Sequence, residues 1–222
     1  MQKEFLITED GSHTIYLPEI DEHYHSIHGA IQESEHIYIG QGFLQSTTNP
    51  VSILEIGFGT GLNAYLTYSY ALKRNISVNY DSLEKYPLTD AEYLRLNYPK
   101  IIFPENEAIF DQIHRAHWGT TESISPDFKL LKLQGDLLTH QFDKLPQYDL
   151  VYFDAFAPNK QPEMWTDEIL QKVAASIKIN GILVTYCSKG TVRRALSSAG
   201  FIMERIPGPI GKKEILRGKK TF

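Results

Sequence analysis

The chain is punctuated by short apolar runs that alternate with helical periodicity. Val51-Ser52-Ile53-Leu54-Glu55-Ile56 is nearly continuous in apolar residues, as a strand buried on both faces should be. It leads into Gly57-Phe58-Gly59-Thr60-Gly61 and then a helical pattern from about 61 to 74. A second strand is predicted over 77–83, ending at Glu84, followed by a helix that starts at Pro87 and runs through Thr89-Asp90-Ala91-Glu92 toward Asn97. Residues 99–126 are poorly periodic and carry Pro99, Pro104 and Pro126, with one helix predicted around 107–116. Strands follow at 128–133 and 148–153. A helix is predicted over 163–178, stopped by Asn180-Gly181, then a strand over 182–187 and a helix over 191–199 closed by Gly200. The chain ends in a strand pair, 201–206 and 214–216. Ahead of all this, 5–8 and 13–17 read as strands around Asp10-Gly11, and 36–39 as a short strand or a helix end.

Strands alternating with helices predict a mostly parallel sheet covered on both faces. The link between the last two strands is too short for a parallel crossover, so the final strand is expected to be antiparallel. The pattern divides the chain into an N-terminal extension, 1–48, packing on a main domain, 49–222. A parallel sheet closed by an antiparallel hairpin is the layout of Rossmann-like, class I S-adenosylmethionine (AdoMet)-dependent methyltransferases, an α/β class whose ligands lie at the carboxyl ends of the strands.

Composition narrows the picture modestly. With 222 residues, 42% of them apolar, the chain can build a full core. Its one cysteine, Cys187, excludes an internal disulfide and fits a reducing compartment. No apolar run is long enough to span a membrane, and Met1-Gln2-Lys3-Glu4-Phe5 lacks the pattern of a leader, so a cytoplasmic location is expected. The net charge of −5 is unevenly spread: residues 1–48 hold eight acids against Lys3, whereas residues 187–222 hold nine basic side chains against Glu204 and Glu214. That basic tail is either a footprint for a polyanion or an ordinary solvated surface.

The glycine turn after the first main strand is the strongest chemical signal. Its spacing is Gly-x-Gly-x-Gly, shorter than the dinucleotide fingerprint, and Glu55 stands two residues ahead of it, which points to AdoMet rather than NAD. Successive strands then deliver Glu84, Asp136 and Asp154 to the same sheet edge. Glu84 is placed to accept hydrogen bonds from both ribose hydroxyls, Asp136 from the adenine amino group, and Asp154 to face the methyl donor and its acceptor. Alone, each acid reads as a cap or a surface residue. Together they converge on one edge. After Asp154 comes a proline-stiffened loop, Pro158-Asn159-Lys160-Gln161-Pro162-Glu163-Met164-Trp165, in the position where substrate contacts collect. Trp165 is expected to pack beneath that loop rather than stack on a base; Lys160 meets either phosphate or water.

These residues resemble the methyltransferase domain of the MnmC family, the tRNA 5-(aminomethyl)uridine methyltransferases. The matching stretches are Glu55 to Asn63, Ser82 to Leu88, Gly135-Asp136, Asp154 to Pro158 with Pro162 to Trp165, Val192-Arg193-Arg194 with Ala199-Gly200-Phe201, and Lys212 to Leu216, with a weaker match around Tyr24, Gly29, Glu33 and Glu35. Ala155 departs from the glycine usual in the family, and the Phe-Gly pair often found near Pro209-Ile210 is absent. The resemblance implies that AdoMet methylates the amine of 5-aminomethyl-(2-thio)uridine at the tRNA wobble position. It implies a cofactor side made by Glu55, Gly57, Phe58, Gly59, Thr60, Gly61, Asn63, Glu84, Lys85 and Asp136. It implies a substrate side made by Tyr24, Phe156, Pro158, Lys160, Trp165, Arg193, Arg194, Lys212 and Lys213, with Asp154 as the catalytic group and the tRNA anticodon region as partner. No second glycine fingerprint accompanies the first, so the flavin-dependent oxidoreductase activity of bifunctional members is not expected. An AdoMet-dependent N-methyltransferase acting on another small amine or nucleic acid is the alternative, and a non-catalytic nucleotide-binding protein a more distant one. His23, His25, His28 and His36 cluster in sequence, but without cysteines or helical spacing no metal site is expected.

Overall fold

The computed structural model describes residues 2–142 and 146–222; Met1, part of the stretch read as lacking a leader, lies outside them. The N-terminal segment forms a small antiparallel sheet, β1 (Glu4–Ile7), β2 (His13–Leu17) and β3 (Glu22–His23). It continues through α1 (Ala30–Ser34) directly into a wider helical turn, Glu35–Gly40, so 36–39 is helical rather than a strand. The main sheet comprises β4 (Val51–Ile56), β5 (Val78–Glu84), β6 (Thr121–Ser125), β7 (Phe128–Gln134), β8 (Tyr148–Phe153), β9 (Ile177–Thr185), β10 (Phe201–Pro207) and β11 (Glu214–Lys220). Its helices are α2 (Leu62–Arg74), α3 (Asp90–Tyr93), α4 (Tyr98–Ile102), α5 (Ala108–Arg115), α6 (Asp167–Ser176) and α7 (Gly190–Ser198).

The strand order is β10-β11-β9-β8-β4-β5-β7-β6. Strands β9, β8, β4, β5 and β7 are parallel, whereas β6 and β11 run antiparallel to their neighbours. Both faces of the central strands are buried because their side chains alternate between two cores. Ile53, Leu150 and Tyr152 enter the core beneath α2, while Leu54, Val151 and Phe153 enter the core beneath α6 and α7. The N-terminal segment joins the first of these cores through Ile15, Leu17, Ile37, Tyr38 and Phe43.

Several boundaries differ from the sequence reading. The helix expected from Pro87 starts at Asp90, because Thr89 and Glu92 form a reciprocal capping box there, and it ends within one turn. The helix expected over 163–178 resolves into a 3-10 turn, Pro162–Trp165, and α6, which begins where the Thr166 hydroxyl caps Ile169 N–H. Asn180-Gly181 is not a helix stop. It lies inside β9, with Asn180 at φ 68°, where the pairing with β8 slips between Tyr148 and Leu150. Strand β6 and helix α4 arise in the stretch that showed no clear period.

The register aligns the carboxyl ends of the parallel strands: Ile56 pairs with Leu83 and with Phe153, and Glu84 pairs with Gln134. The loops after β4, β5, β7 and β8 therefore open on one side. The N-terminal segment covers that side with Tyr24, His25 and Tyr38.

Candidate active site

The loop after β4 turns into α2 through backbone that only glycine adopts easily. Gly57 has φ 92°, and a Cβ there would lie 2.7 Å from the Asp154 carbonyl oxygen. Gly59 has φ 49° and faces the Tyr24 ring, which a Cβ would approach to 3.1 Å. The loop is anchored from both sides. Gly59 N–H donates to Glu84 Oε2 at 2.9 Å, and Tyr86 N–H donates to Glu84 Oε1 at 2.7 Å. Each Glu84 oxygen keeps a lone pair for a ligand. On the far side, His114 Nε2–H donates to the Thr60 carbonyl at 3.1 Å, and His25 Nε2 meets the Thr60 hydroxyl at 2.6 Å. Burial pushes the His25 imidazole down to about 4 and His114 to about 3, so both are neutral at pH 7 and add no charge to the loop.

Asp136, after β7, pairs with Lys85 at 2.9 Å and accepts Leu138 N–H at 3.0 Å. These contacts, the lysine first, hold its carboxyl below the ordinary range. Asp154, after β8, is more unusual. Tyr38 O–H donates to its Oδ1 at 2.5 Å, and Asn63 Nδ2 donates to its Oδ2 at 2.9 Å. Burial raises the Asp154 carboxyl to about 7, against the lowering effect of those two donors.

These groups line one cleft of about 670 Å³, within the roughly 300–1,000 Å³ typical of small-molecule sites. Gly57, Phe58, Gly59, Thr60, Asn63, Glu84, Lys85, Asp136 and Asp154 border it, together with Tyr24, Phe156 and Lys212. Tyr24 and Phe156 meet edge to face at 5.3 Å between centroids. Lys212 reaches from the β10–β11 loop, pairing with Glu33 at 3.2 Å and lying over the Tyr186 ring at 4.8 Å. Tyr186 in turn donates its hydroxyl to the Ala155 carbonyl at 2.8 Å.

The other expected residues stand apart from the cleft. Glu55 is fully buried within β4, facing Ser82, and Gly61 starts α2 behind the loop, against His114. Trp165 packs under the acceptor loop, donating Nε1–H to the Phe156 carbonyl at 2.7 Å, and Pro158 does not border the cavity. Lys160 is bound to Asp21 at 3.2 Å. Arg193 and Arg194 lie on α7 and Lys213 on the hairpin loop, none bordering the cleft. Pairing also consumes part of the basic tail: Arg205 meets Glu214 and Arg217 meets Glu204. The sequence reading gave no site role to Tyr38 and Tyr186 and weighed His25 only as a metal ligand, because their partners lie far off in the chain; Gln161, in the loop already singled out, also borders the cleft. Among the described residues no histidine, cysteine and carboxylate cluster is arranged for a metal ion, and no helix is long and apolar enough to cross a membrane. The four N-terminal histidines have separate neighbours: Tyr16, Thr60, Glu9 and the Pro207 carbonyl.

A family model described as S-adenosyl-L-methionine-dependent methyltransferase matches residues 112–221. The chain is 31% identical over 214 residues to the tRNA 5-methylaminomethyl-2-thiouridine biosynthesis bifunctional protein MnmC of Leptospira borgpetersenii, covering 90% of this chain and 32% of that protein. It is 33% identical over 208 residues to the MnmC of Pseudomonas syringae, covering 88% and 31%. The crystal structure of MNMC2 from Aquifex aeolicus superposes with a TM-score of 0.77 at 26% identity, over 99% of this chain and 70% of that one. Over about nine tenths of its length the chain is similar to the MnmC proteins, and over 99% of it to the MNMC2 structure. It spans only 32% and 31% of the length of those two curated relatives. Spermidine synthase from Thermotoga maritima, at 16% identity and a TM-score of 0.60, shares the fold. The cofactor that the matching family model names is AdoMet, and the residues fit it: a bare glycine backbone facing the cleft, and a carboxylate, Glu84, already oriented with lone pairs to spare.

The elevated Asp154 carboxyl has a measurable cost. A folded-state value near 7 against an ordinary 3.8 means that the folded chain binds the proton more tightly, so stability falls as pH rises between those values. Asp154→Asn carries no such titration. It should therefore be more stable than wild type by ~1–2 kcal/mol at pH 8, or roughly 2–8 °C in Tm, with the gain shrinking toward pH 5. An equal Tm difference at both pH values would contradict the assignment.

Proposed function

We propose that this chain methylates the primary amine of a 5-aminomethyl-(2-thio)uridine at the wobble position of tRNA, giving the 5-methylaminomethyl product. The observation that carries the reading is Asp154, a half-buried carboxylate held by Tyr38 and Asn63 at the junction of the glycine loop and the aromatic Tyr24–Phe156 wall. Bound in the cleft, AdoMet supplies an electrophilic methyl group to an amine.

Glu84, with its free lone pairs, would hold the ribose hydroxyls, Asp136 and Lys85 would meet the adenine, and the Gly57 to Thr60 backbone would hold the rest of the cofactor. Asn63 binds Asp154 rather than the cofactor. On the acceptor side the chain aligns the amine and removes its proton, an effect of proximity and general base catalysis. Asp154 would accept that proton as the new N–C bond forms and the sulfur–methyl bond breaks, with S-adenosylhomocysteine as the leaving group. A carboxyl near 7 suits this better than an ordinary one, being mostly ionised just above neutrality yet basic enough to take a proton. Tyr24 and Phe156 offer aromatic faces to a base drawn out of the anticodon stack. Exposed Arg194, Lys189, Lys213 and Lys219 are candidates for phosphate contacts in the anticodon region. Such a substrate places the reaction in the cytoplasm.

Incubating the purified chain with AdoMet and tRNA that carries 5-aminomethyluridine tests the reading. The expected product is 5-methylaminomethyluridine in the nucleoside digest. Methylation only of free amines, or of tRNA at another position, would refute it.

A further inference from the structure

Among the described residues, Glu55 is the one wholly buried carboxyl beneath the cleft. It shares the β4 face of Ile53 and lies under α2, where Asn63 stands in the helix's first turn. Its Oε2 accepts the Ser82 hydroxyl at 2.6 Å. Its Oε1 is buried and unpartnered, and so are Asn63 Oδ1 and the Tyr80 hydroxyl oxygen. Asn63 and Tyr80 are the side chains that lie against the Glu55 carboxyl besides Ser82. Asn63 cannot turn its amide to relieve this, because its Nδ2 is committed to Asp154 Oδ2 at 2.9 Å.

A count of protons decides the state of the cluster. With Glu55 ionised, Oε1 and Asn63 Oδ1 are both pure acceptors, and the Tyr80 hydroxyl has one proton for the two of them. One buried acceptor is then unmet, and a second negative charge sits beneath Asp154. With Glu55 protonated, Oε1–H serves Asn63 Oδ1 and Tyr80 serves Oε1, so all three orphans are satisfied. The surrounding titratable groups favour the same state. Tyr80 and Tyr152 on the neighbouring strands stay neutral, and Asp154 across Asn63 repels a second charge. Burial and that repulsion push the Glu55 carboxyl well above its ordinary value.

We propose that Glu55 is a neutral hydrogen-bond donor that positions Asn63, and through it the Asp154 carboxylate, for methyl transfer. This rests on the reading of the cleft as a methyl-transfer site. It replaces the sequence expectation that the acid before the glycine turn touches the cofactor. Glutamine supplies the same donor and acceptor without a charge, whereas leucine supplies neither.

The test has two arms. The first is infrared difference spectroscopy at pH 9, wild type minus Glu55→Gln. A protonated-carboxyl C=O band is expected, and its absence overturns the proposal. The second is kinetic. Glu55→Leu should lower kcat about 10–100-fold, because a displaced catalytic group costs up to about 10²-fold, with AdoMet affinity little changed. Glu55→Gln should restore most of that loss. A Glu55→Gln variant that loses AdoMet affinity tenfold would make Glu55 a charged cofactor ligand and overturn the proposal. The band does not depend on the acceptor. A wild-type chain that gives the band but methylates no tRNA refutes the function instead.

Discussion

Asp154→Ala should lower kcat for methyl transfer by about 10²–10⁴-fold, the usual range for loss of a positioned general base. AdoMet affinity should stay within a few-fold of wild type. The expectation follows from where the carboxylate's contacts go. Both oxygens are held by protein donors, Tyr38 and Asn63, and the proposed cofactor contacts are other groups, Glu84, Lys85 and Asp136. Removing the side chain leaves that half intact and leaves the Tyr38 hydroxyl without its partner. Equilibrium AdoMet binding and single-turnover methyl transfer separate the two effects. A variant that binds AdoMet normally and turns over at the wild-type rate would remove Asp154 from the chemistry. One that loses AdoMet binding would make it a cofactor residue.

Glu84→Ala should do the reverse, weakening AdoMet binding by about 10²-fold or more. Two hydrogen bonds to a charged acceptor are worth ~1.5–3 kcal/mol each, and 1.4 kcal/mol is tenfold in affinity. The same substitution removes the acceptor for Gly59 and Tyr86 N–H, so the glycine loop loses its inner anchor as well. At saturating AdoMet the rate should recover toward wild type, because Asp154, Tyr38 and Asn63 are untouched. Titration calorimetry with AdoMet, and kcat at high AdoMet, check this. Unchanged affinity would mean that the ribose binds elsewhere in the cleft.

The two variants divide the site along a line that is only half visible in the sequence. The proposed cofactor half is local. Strand, glycine turn and helix follow one another from Val51 to Arg74, and Glu84 and Asp136 close runs of apolar residues whose strand character is plain. Strands β4 and β8 fall where the apolar pattern puts them, because strands buried on both faces leave a continuous apolar signature. The acceptor half is built from residues far apart in the chain. Tyr38 reaches Asp154 across 116 positions, and Tyr186 reaches the Ala155 carbonyl across 31. No spacing rule connects such pairs. Charge counting left two readings of the nine basic residues near the carboxyl end open, a polyanion footprint and an ordinary surface, and could not show that Arg205, Arg217 and Lys212 are each bound to a nearby glutamate. Asn180-Gly181 misled because the same dipeptide suits a helix end and a strand irregularity, and only the pairing with β8 distinguishes them. Glu55 sits in the most legible motif of the chain, yet its burial against Ser82, Tyr80 and Asn63 depends on the neighbouring strand and helix.

The claim that joins these parts is that the cleft methylates an aminomethyl uridine in tRNA with Asp154 as the base. Nucleoside mass spectrometry of tRNA from cells lacking the protein, complemented with wild type or with Asp154→Ala, tests it most directly. The prediction is 5-methylaminomethyl-(2-thio)uridine with wild type, and the aminomethyl precursor accumulating with the variant or with no complementation. Equal amounts of the methylated nucleoside in all three would contradict it.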